Sequence, residues 1–377
     1  MARSIVLHSL QSLLCFVALC AFTLSAFAAD PPKAGTDTVT FVNGEQITGK
    51  LLKVADGKIF FHSEMVGDVS FEWAKVKELK TTTPFAVIAK GDKLAKQNDK
   101  KVPEGTLEVT DNKIAVNGAS AGPVPTDQIS FVVDQPGYDQ AISHHPGWSE
   151  GWVGAVTAGL SLVEATQHNT NFTSGIAVVR KSPSVDWMTT RSRTSLDFSN
   201  SYGKLTQPGQ PDAKTSIYHA DGEQDEYLSD RLYALGHVSF DHNFAQGLDL
   251  QSLFGGGLGF TVKKDKIQEL DIKADLHYEK QQFADSTLNL NLVGSEFAES
   301  YMRKLSHSMV VTQGLLYDAS WNNTHAYSAQ GFIGLAAPFS KKFSVAINLM
   351  DGFLNNPPPG FKKNSLQFTT ALTYTIK

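Results

Sequence analysis

Apolar and polar residues alternate along most of the chain after Trp148. In Ile267 to Lys280, IQELDIKADLHYEK, one parity holds Leu270, Ile272, Ala274, Leu276 and Tyr278. The other holds Glu269, Asp271, Lys273, Asp275, His277 and Glu279. A period of two sends successive side chains to opposite faces of an extended strand. The C-terminal LQFTTALTYTIK keeps Leu366, Phe368, Thr370, Leu372, Tyr374 and Ile376 in step, and AYSAQGFIGLAAPF does the same with Tyr327, Ala329, Gly331, Ile333 and Leu335. Segments of about ten residues or more with this alternation have the length and pattern of transmembrane barrel strands. Eleven are visible, beginning near Trp152, Phe172, Thr190, Leu228, Leu248, Ile267, Leu288, Met309, Ala326, Phe343 and Leu366. Single-chain bacterial barrels have even strand numbers, so the expectation is about twelve strands, with about ten as the alternative. The missing strand is sought within AKTSIYHADGEQDEY, Ala213 to Tyr227.

A secreted β-sandwich would alternate in the same way. Three features favour an outer-membrane barrel. Aromatic residues gather at segment ends, as Trp321 and Tyr327 do around NNTHA and Phe339 and Phe343 around SKK, where interfacial girdles sit. The polar faces are charged rather than rich in Ser and Thr, which suits a lumen. The third feature is a secretory N-terminus without cysteine beyond it.

That N-terminus, MARSIVLHSLQSLLCFVALCAFTLSAFAAD, has an early Arg3, an apolar run and Ala26-Phe27-Ala28, so residues 1–28 read as a signal peptide. Both cysteines, Cys15 and Cys20, fall inside it. The chain that follows then has no disulfide framework, no thiolate metal site and no Cys nucleophile. After the leader no apolar run approaches the roughly 18 residues of a membrane helix, so any membrane insertion is by strands. Residues 36–134 form a separate region with an internal repeat. FVNGEQITG, DGKIFF and WAKVKEL in the first copy correspond to VIAKGDKLA, DNKIAV and TDQISFV in the second. Asn43-Gly44 and Asp56-Gly57 are favoured hairpin turns. The expectation is two small antiparallel barrels or meanders in tandem. Residues 135–147, with Pro136-Gly137 and Pro146-Gly147, read as a linker, and residues 148–377 as the barrel.

A net charge of −5 gives no basic footprint for nucleic acid. Gly255, Gly256, Gly257 and Gly259 in GLDLQSLFGGGLGF resemble a phosphate loop, but such a loop needs a helix after its glycines. Here Leu258, Phe260 and Val262 continue a strand. Asp249, Gln251, Leu253, Gly255, Gly257 and Gly259 then face the lumen while Phe254, Leu258 and Phe260 meet lipid. Interior strand glycines mark a bend or a close approach, here a thinned wall or room for a bulky neighbour such as Arg231. His144-His145 lie in the Pro/Gly linker without a carboxylate cluster, a solvated pair rather than a metal site. Ser239, His237 and Asp241 share a strand face, but i, i+2 spacing of roughly 7 Å is too long for nucleophile and base. No catalytic residue, cofactor or metal is expected. The charged positions with something specific to do are those facing the lumen: Arg191, Arg193, Asp197, Arg231, His237, Asp249, Asp271, Lys273 and Asp275. They would form either an ion-pair lattice or a selective constriction.

GWVGAVTAGLSL, GLDLQSLFGGGLGF, YEKQQF and NNPPPGFKKNSLQFTTALTYTIK together resemble the domain of unknown function 481 family, outer-membrane barrels sometimes labelled salt-induced. The resemblance runs from Gly147 to the C-terminus, with the Asn356 to Gly360 loop and the final strand as its most specific part. NGEQITGK to WAKVKEL looks like the small β module that often precedes such barrels. Two departures are TQHNTNFT in the first hairpin and an Ile376-Lys377 ending in place of a terminal aromatic. The resemblance implies an outer-membrane location and a periplasmic module, and brings no activity. The functional expectation is a non-enzymatic small passive pore or envelope-stress structural protein in contact with outer-membrane lipid. The alternatives are a scaffold whose residues 36–134 engage a periplasmic protein or the cell wall, and an outer-membrane hydrolase.

Overall fold

The computed structural model describes residues 36–92, 94, 102–143, 147–164, 168–206, 213–305 and 309–376. Residues 1–28, read from the sequence as a signal peptide, with Cys15 and Cys20, and His144-His145 lie outside the described residues. Two compact units divide the chain.

In the N-terminal unit the first repeat supplies β1 (Asp37–Phe41), β2 (Gln46–Ala55), β3 (Lys58–Ser63), β4 (Gly67–Glu72), a 3-10 turn at Trp73–Lys75 and β5 (Val76–Lys80). The second supplies β6 (Phe85–Ala89), β7 (Glu104–Thr110), β8 (Lys113–Asn117), β9 (Val124–Pro125), a 3-10 turn at Thr126–Gln128 and β10 (Ile129–Asp134). The repeat is therefore real, but the copies do not form two barrels in tandem. β5 of the first pairs with β7 of the second, β10 of the second pairs with β2 of the first, and β1–β2 completes a ring in the order β1-β5-β7-β6-β10-β2. Each copy owns only half of that ring, too little to close alone. Interleaving buries Val39, Leu51, Ile59 and Leu79 of one copy with Leu107, Val109, Ile114 and Val132 of the other in a single core.

Local chemistry fixes the turns. Asp56 (φ 59) and Gly57 (φ 73) take the left-handed pair that a tight hairpin demands, and Asp111 (φ 51) and Asn112 (φ 57) repeat it in the second copy. Asn43-Gly44 sits instead in a longer loop, where Asn43 Oδ1 accepts from the Glu45 amide at 3.1 Å. Asp37, 1% exposed, is satisfied without a cation. Its carboxylate accepts from the amides of Leu51 and Thr82, each at 2.8 Å, and from the Thr82 hydroxyl at 3.0 Å.

The expected linker is structured in its first part: Gln135–Ser143 forms helix α1 with Tyr138 and Ile142 buried. Pro136 lies in the first helical turn, where its missing N–H breaks no bond. Tyr138 stacks on Trp187, ring centroids 5.3 Å apart, an anchor that punctuation by Pro and Gly does not reveal.

Twelve antiparallel strands close into a barrel. They are β11 (Trp152–Glu164), β12 (His168–Ser182), β13 (Ser192–Thr206), β14 (Ala213–Tyr227), β15 (Leu232–Asn243), β16 (Leu248–Lys264), β17 (Gln268–Phe283), β18 (Leu290–Lys304), β19 (Val310–Ser320), β20 (Tyr327–Pro338), β21 (Phe343–Leu354) and β22 (Asn364–Ile376). Closure is β11 against β22, with Gly154 opposite Ile376 and Ala158 opposite Leu372. The strand missing from the sequence pattern is β14, in the segment where it was sought. Its polar run HADGEQDEY hides the alternation, because its outward positions include Gly222 and Gln224 rather than large apolar residues.

Register aligns one parity of every strand outward. Phe254, Leu258 and Phe260 on β16, Ile272, Leu276 and Tyr278 on β17, Leu315 and Tyr317 on β19 and Leu366, Phe368 and Leu372 on β22 are all exposed. The alternate positions, among them Leu253, Asp271, Asp275, His277, Glu279 and Asp318, are buried in the interior. No helix among the described residues is long and apolar enough to cross a membrane.

Candidate functional site: a charged wall inside the barrel

Inward positions of β13 to β19 gather nearly all the interior charge. Arg193 on β13 is at their centre. Its Nε donates to Asp225 Oδ2 on β14 at 2.6 Å and its Nη1 to Asp271 Oδ2 on β17 at 3.0 Å, with Glu269 at 3.7 Å. The guanidinium lies over the Tyr233 ring of β15 at 5.0 Å, and Tyr233 in turn packs on Tyr227 at 5.2 Å. A rigid planar cation with five donors is the side chain that serves two carboxylates and an aromatic face at once. One layer further into the barrel Lys273 donates to both oxygens of Glu223, at 2.5 and 2.6 Å.

A third group lies on β15, β17, β18 and β19. Asp275 Oδ2 approaches His237 Nε2 at 2.6 Å, and its Oδ1 accepts from His277 Nδ1 at 2.9 Å and from the Glu296 amide at 3.0 Å. His277 Nε2 faces Asp318 Oδ1 at 3.1 Å. Glu279 is 2% exposed and accepts from Gln281 at 2.7 Å. A smaller pair, His219 with Asp241 at 2.7 Å, joins β14 to β15 near Asp197 and Asp221.

Of the lumen positions expected from sequence, the structure brings together Arg193, His237, Asp271, Lys273 and Asp275, and places Asp197 opposite Asp221. Three others are elsewhere. Arg191 precedes β13 and Arg231 precedes β15; both are exposed and contribute backbone bonds, Arg191 with Ser182 and Tyr227 and Arg231 with Thr261. Asp249 falls in a register shift between Leu248 and Leu250. The extra residue breaks the parity, so Leu248 turns into the core with Phe283 and Leu354 while Asp249 is exposed. Ser239, His237 and Asp241 form no triad, since His237 is held by Asp275 and Asp241 by His219.

The glycines of β16 are explained by the same wall. A Cβ on Gly259 would run into the Tyr233 ring, and one on Gly255 would meet Asp275 Oδ2 at 2.5 Å and His237 Nε2 at 2.6 Å. The room therefore serves Tyr233 and the His237–Asp275 contact, not Arg231. Arg231 is excluded because it lies in the turn before the strand. Glu223, Asp225, Tyr233, Glu296 and Asp318 were not singled out from sequence. Extending strict parity into β14, β18 and β19 marks the carboxylates but not their partners: Arg193 faces Asp225 from the neighbouring strand, while Lys273 and His277 reach Glu223 and Asp318 from strands two or more away.

A cavity of about 210 Å³ opens beside Arg193 and Asp271, lined also by Ser300, Met302, Thr312 and Phe332. A larger recess of about 740 Å³ is bounded mainly by outward side chains such as Leu258, Ile272, Phe297 and Tyr317. It belongs to the outer face rather than to the charged wall.

No curated protein matches the chain. Among solved structures, the translocator domain of autotransporter NalP from Neisseria meningitidis is similar at 11% identity over 62% of this chain and 90% of that one, TM-score 0.34. The NanC porin is similar at 7% identity over 60% and 100%, TM-score 0.36. The CymD monoaromatic hydrocarbon channel is similar at 9% identity over 78% and 86%, TM-score 0.26. At these scores the neighbours carry no argument about role. The family described as "Protein of unknown function, DUF481" matches residues 156–376, more than half of the chain and almost the whole barrel, and the chain belongs to that family.

Proposed function

We propose that the protein is a non-enzymatic outer-membrane barrel acting as a narrow, cation-preferring passive pore. The observation that carries this reading is the interior wall. Asp197, Asp221, Glu223, Asp225, Asp271, Asp275, Glu279 and Asp318 point inward, against Arg193 and Lys273 as the principal interior cations. Fixed carboxylates in excess, lining a low-dielectric passage, attract cations and repel anions. Strands of 11 to 17 residues with an apolar exterior and polar interior support the membrane placement. A barrel of about this strand number has a lumen between filled and open, which limits passage to small solutes. Reconstitution into planar bilayers tests the reading. Small stepwise conductances with a reversal potential favouring the cation under a salt gradient are expected; silent bilayers containing folded barrel would overturn it.

A second reading, that residues 36–134 bind a periplasmic partner, draws on one observation. Met65 and Val66, 92% and 62% exposed, form the apolar tip of the β3–β4 hairpin. Crosslinking in cells with Met65→Ser and Val66→Ser should lose a partner that the unaltered chain captures; an unchanged crosslink pattern removes this reading.

A further inference from the structure

The group around His277 has more negative charge than its neighbours can balance. His237, Asp275, His277, Glu279, Glu296 and Asp318 comprise four carboxylates and two imidazoles. Even with both imidazoles protonated, two negative charges remain. Among the described residues the only cationic partners of Asp275 and Asp318 within 4.0 Å are these histidines. Buried carboxylates in that position need a cation or must give up their charge.

Geometry shows where a cation would sit. His277, Glu279 and Asp318 each bring one donor atom within 4.8 Å of the others, and all three residues are buried. His277 Nε2 and Asp318 Oδ1 are 3.1 Å apart, yet neither has an aligned hydrogen-bond partner. Two donor atoms that approach without pointing at one another are arranged like ligands that share a third atom. Bonds of about 2.1 Å to a tetrahedral ion would separate its ligands by about 3.4 Å, so the 3.1 Å contact needs only a small adjustment.

The surroundings match what ligands require. The other ring nitrogen of His277, Nδ1, is held by Asp275 at 2.9 Å, which fixes the ring and leaves Nε2 to bind. Glu279 is held by Gln281 at 2.7 Å. Gly294 of β18 stands opposite both His277 and Ser320, between β17 and β19. A Cβ there would lie 2.5 Å from the Ala319 carbonyl oxygen of β19 and 3.0 Å from His277 Nε2. The missing side chain is what lets an imidazole on β17 reach a carboxylate on β19, across an intervening strand.

We infer that His277 Nε2, Glu279 and Asp318 bind one divalent first-row transition ion, such as zinc, in the inner wall of the barrel. One imidazole and two carboxylates neutralise the ion's charge, and the imidazole selects against magnesium and calcium, which prefer oxygen ligands. Three protein ligands leave a position for water or solute. The site departs from the metal-free expectation read from the sequence, and it does not depend on whether the lumen conducts.

The test uses the full chain folded in detergent, stripped with chelator and dialysed against zinc, with folding checked by heat-modifiable migration and bound metal by atomic emission. One zinc per folded chain is expected. Glu279→Gln and Asp318→Asn should abolish that stoichiometric ion, and Asp275→Asn should weaken binding about 10- to 100-fold. A His144→Ala/His145→Ala variant should bind like the unaltered chain. The inference is overturned if the unaltered chain retains no more zinc than the E279Q/D318N double variant, if the linker histidines account for the binding, or if magnesium is held as tightly. Should the carboxylate variants fail to fold, cobalt added to the unaltered stripped protein decides. Visible d–d bands that zinc displaces support the site, and their absence overturns it.

Discussion

The two units of this protein bury opposite things. In the N-terminal ring the interior is Val39, Leu51, Ile59, Leu79, Leu107 and Ile114, and Asp37, buried beside that core, is satisfied by backbone amides and one hydroxyl. In the barrel the interior is Arg193, Asp225, Asp271, Glu279 and His277, while Leu258, Leu276 and Phe368 are exposed. Both use the same period-two alternation. The physics that gathers each interior differs: water drives apolar residues together into a core, whereas lipid accepts them outside and leaves polar side chains to satisfy one another within.

The largest expected effect follows from removing the cation at the centre of the barrel interior. Arg193→Met leaves Asp225 and Asp271 buried without their guanidinium and should cost about 3–5 kcal/mol, read as a lowered urea midpoint in detergent or lipid. If the loss were near zero, water rather than the ion-pair wall would be supporting the interior, and the contrast with the N-terminal core would weaken. A sharper comparison pairs two leucines. Leu51→Ala opens a cavity in the apolar core of the N-terminal ring and should cost about 2–5 kcal/mol. Leu258→Ala on the outer face should cost less, about 2 kcal/mol or below, because lipid chains refill the space. Hydrogen exchange of the full chain, unit by unit, measures both; equal losses would mean that the outer face is packed rather than lipid-facing.

The smallest effect lies in a hairpin turn outside the strands. The Asp265 carboxyl is held below the usual carboxylate range, first by the Ile267 amide and then by the Gln268 amide, at 2.8 and 2.9 Å. A depressed folded value means the contribution is present above the unfolded carboxylate value of about 3.9 and is lost as pH falls through the folded one. Asp265→Ala should therefore raise exchange of those two amides at neutral pH and make no difference in strong acid. A difference that persists in acid would show that the turn is held by something other than the ionised carboxylate.

Much of the fold is legible in the chain because alternation is local. Leu270 to Tyr278 announces β17 and both of its faces, and the evenness of barrels points to β14 in a stretch with little apolar signal of its own. The repeat of DGKIFF and DNKIAV gives the N-terminal strands and turns, but not their exchange between copies, since that pairing depends on closing a ring that neither copy closes alone. Helix α1 is hidden because Pro136 and Gly137 punctuate a turn equally well, and the packing of Tyr138 on Trp187 joins residues distant in the chain.

At the charged wall, parity determines that Arg193, Asp271, Lys273 and Asp275 share the interior. It misplaces Asp249, where one extra residue in the strand cancels the alternation. It also cannot pair Arg193 with Asp225, or His277 with Asp318, because pairs one or two strands apart are set by register around the closed sheet. The sequence alone determined the strands, the faces of most residues and the presence of room beside Gly255 and Gly259. Only the tertiary structure decided that Tyr233 and His237 occupy that room, and that Gly294 lets His277 reach Asp318. Side-chain direction is written residue by residue, while contact across a barrel exists only once its last strand meets its first.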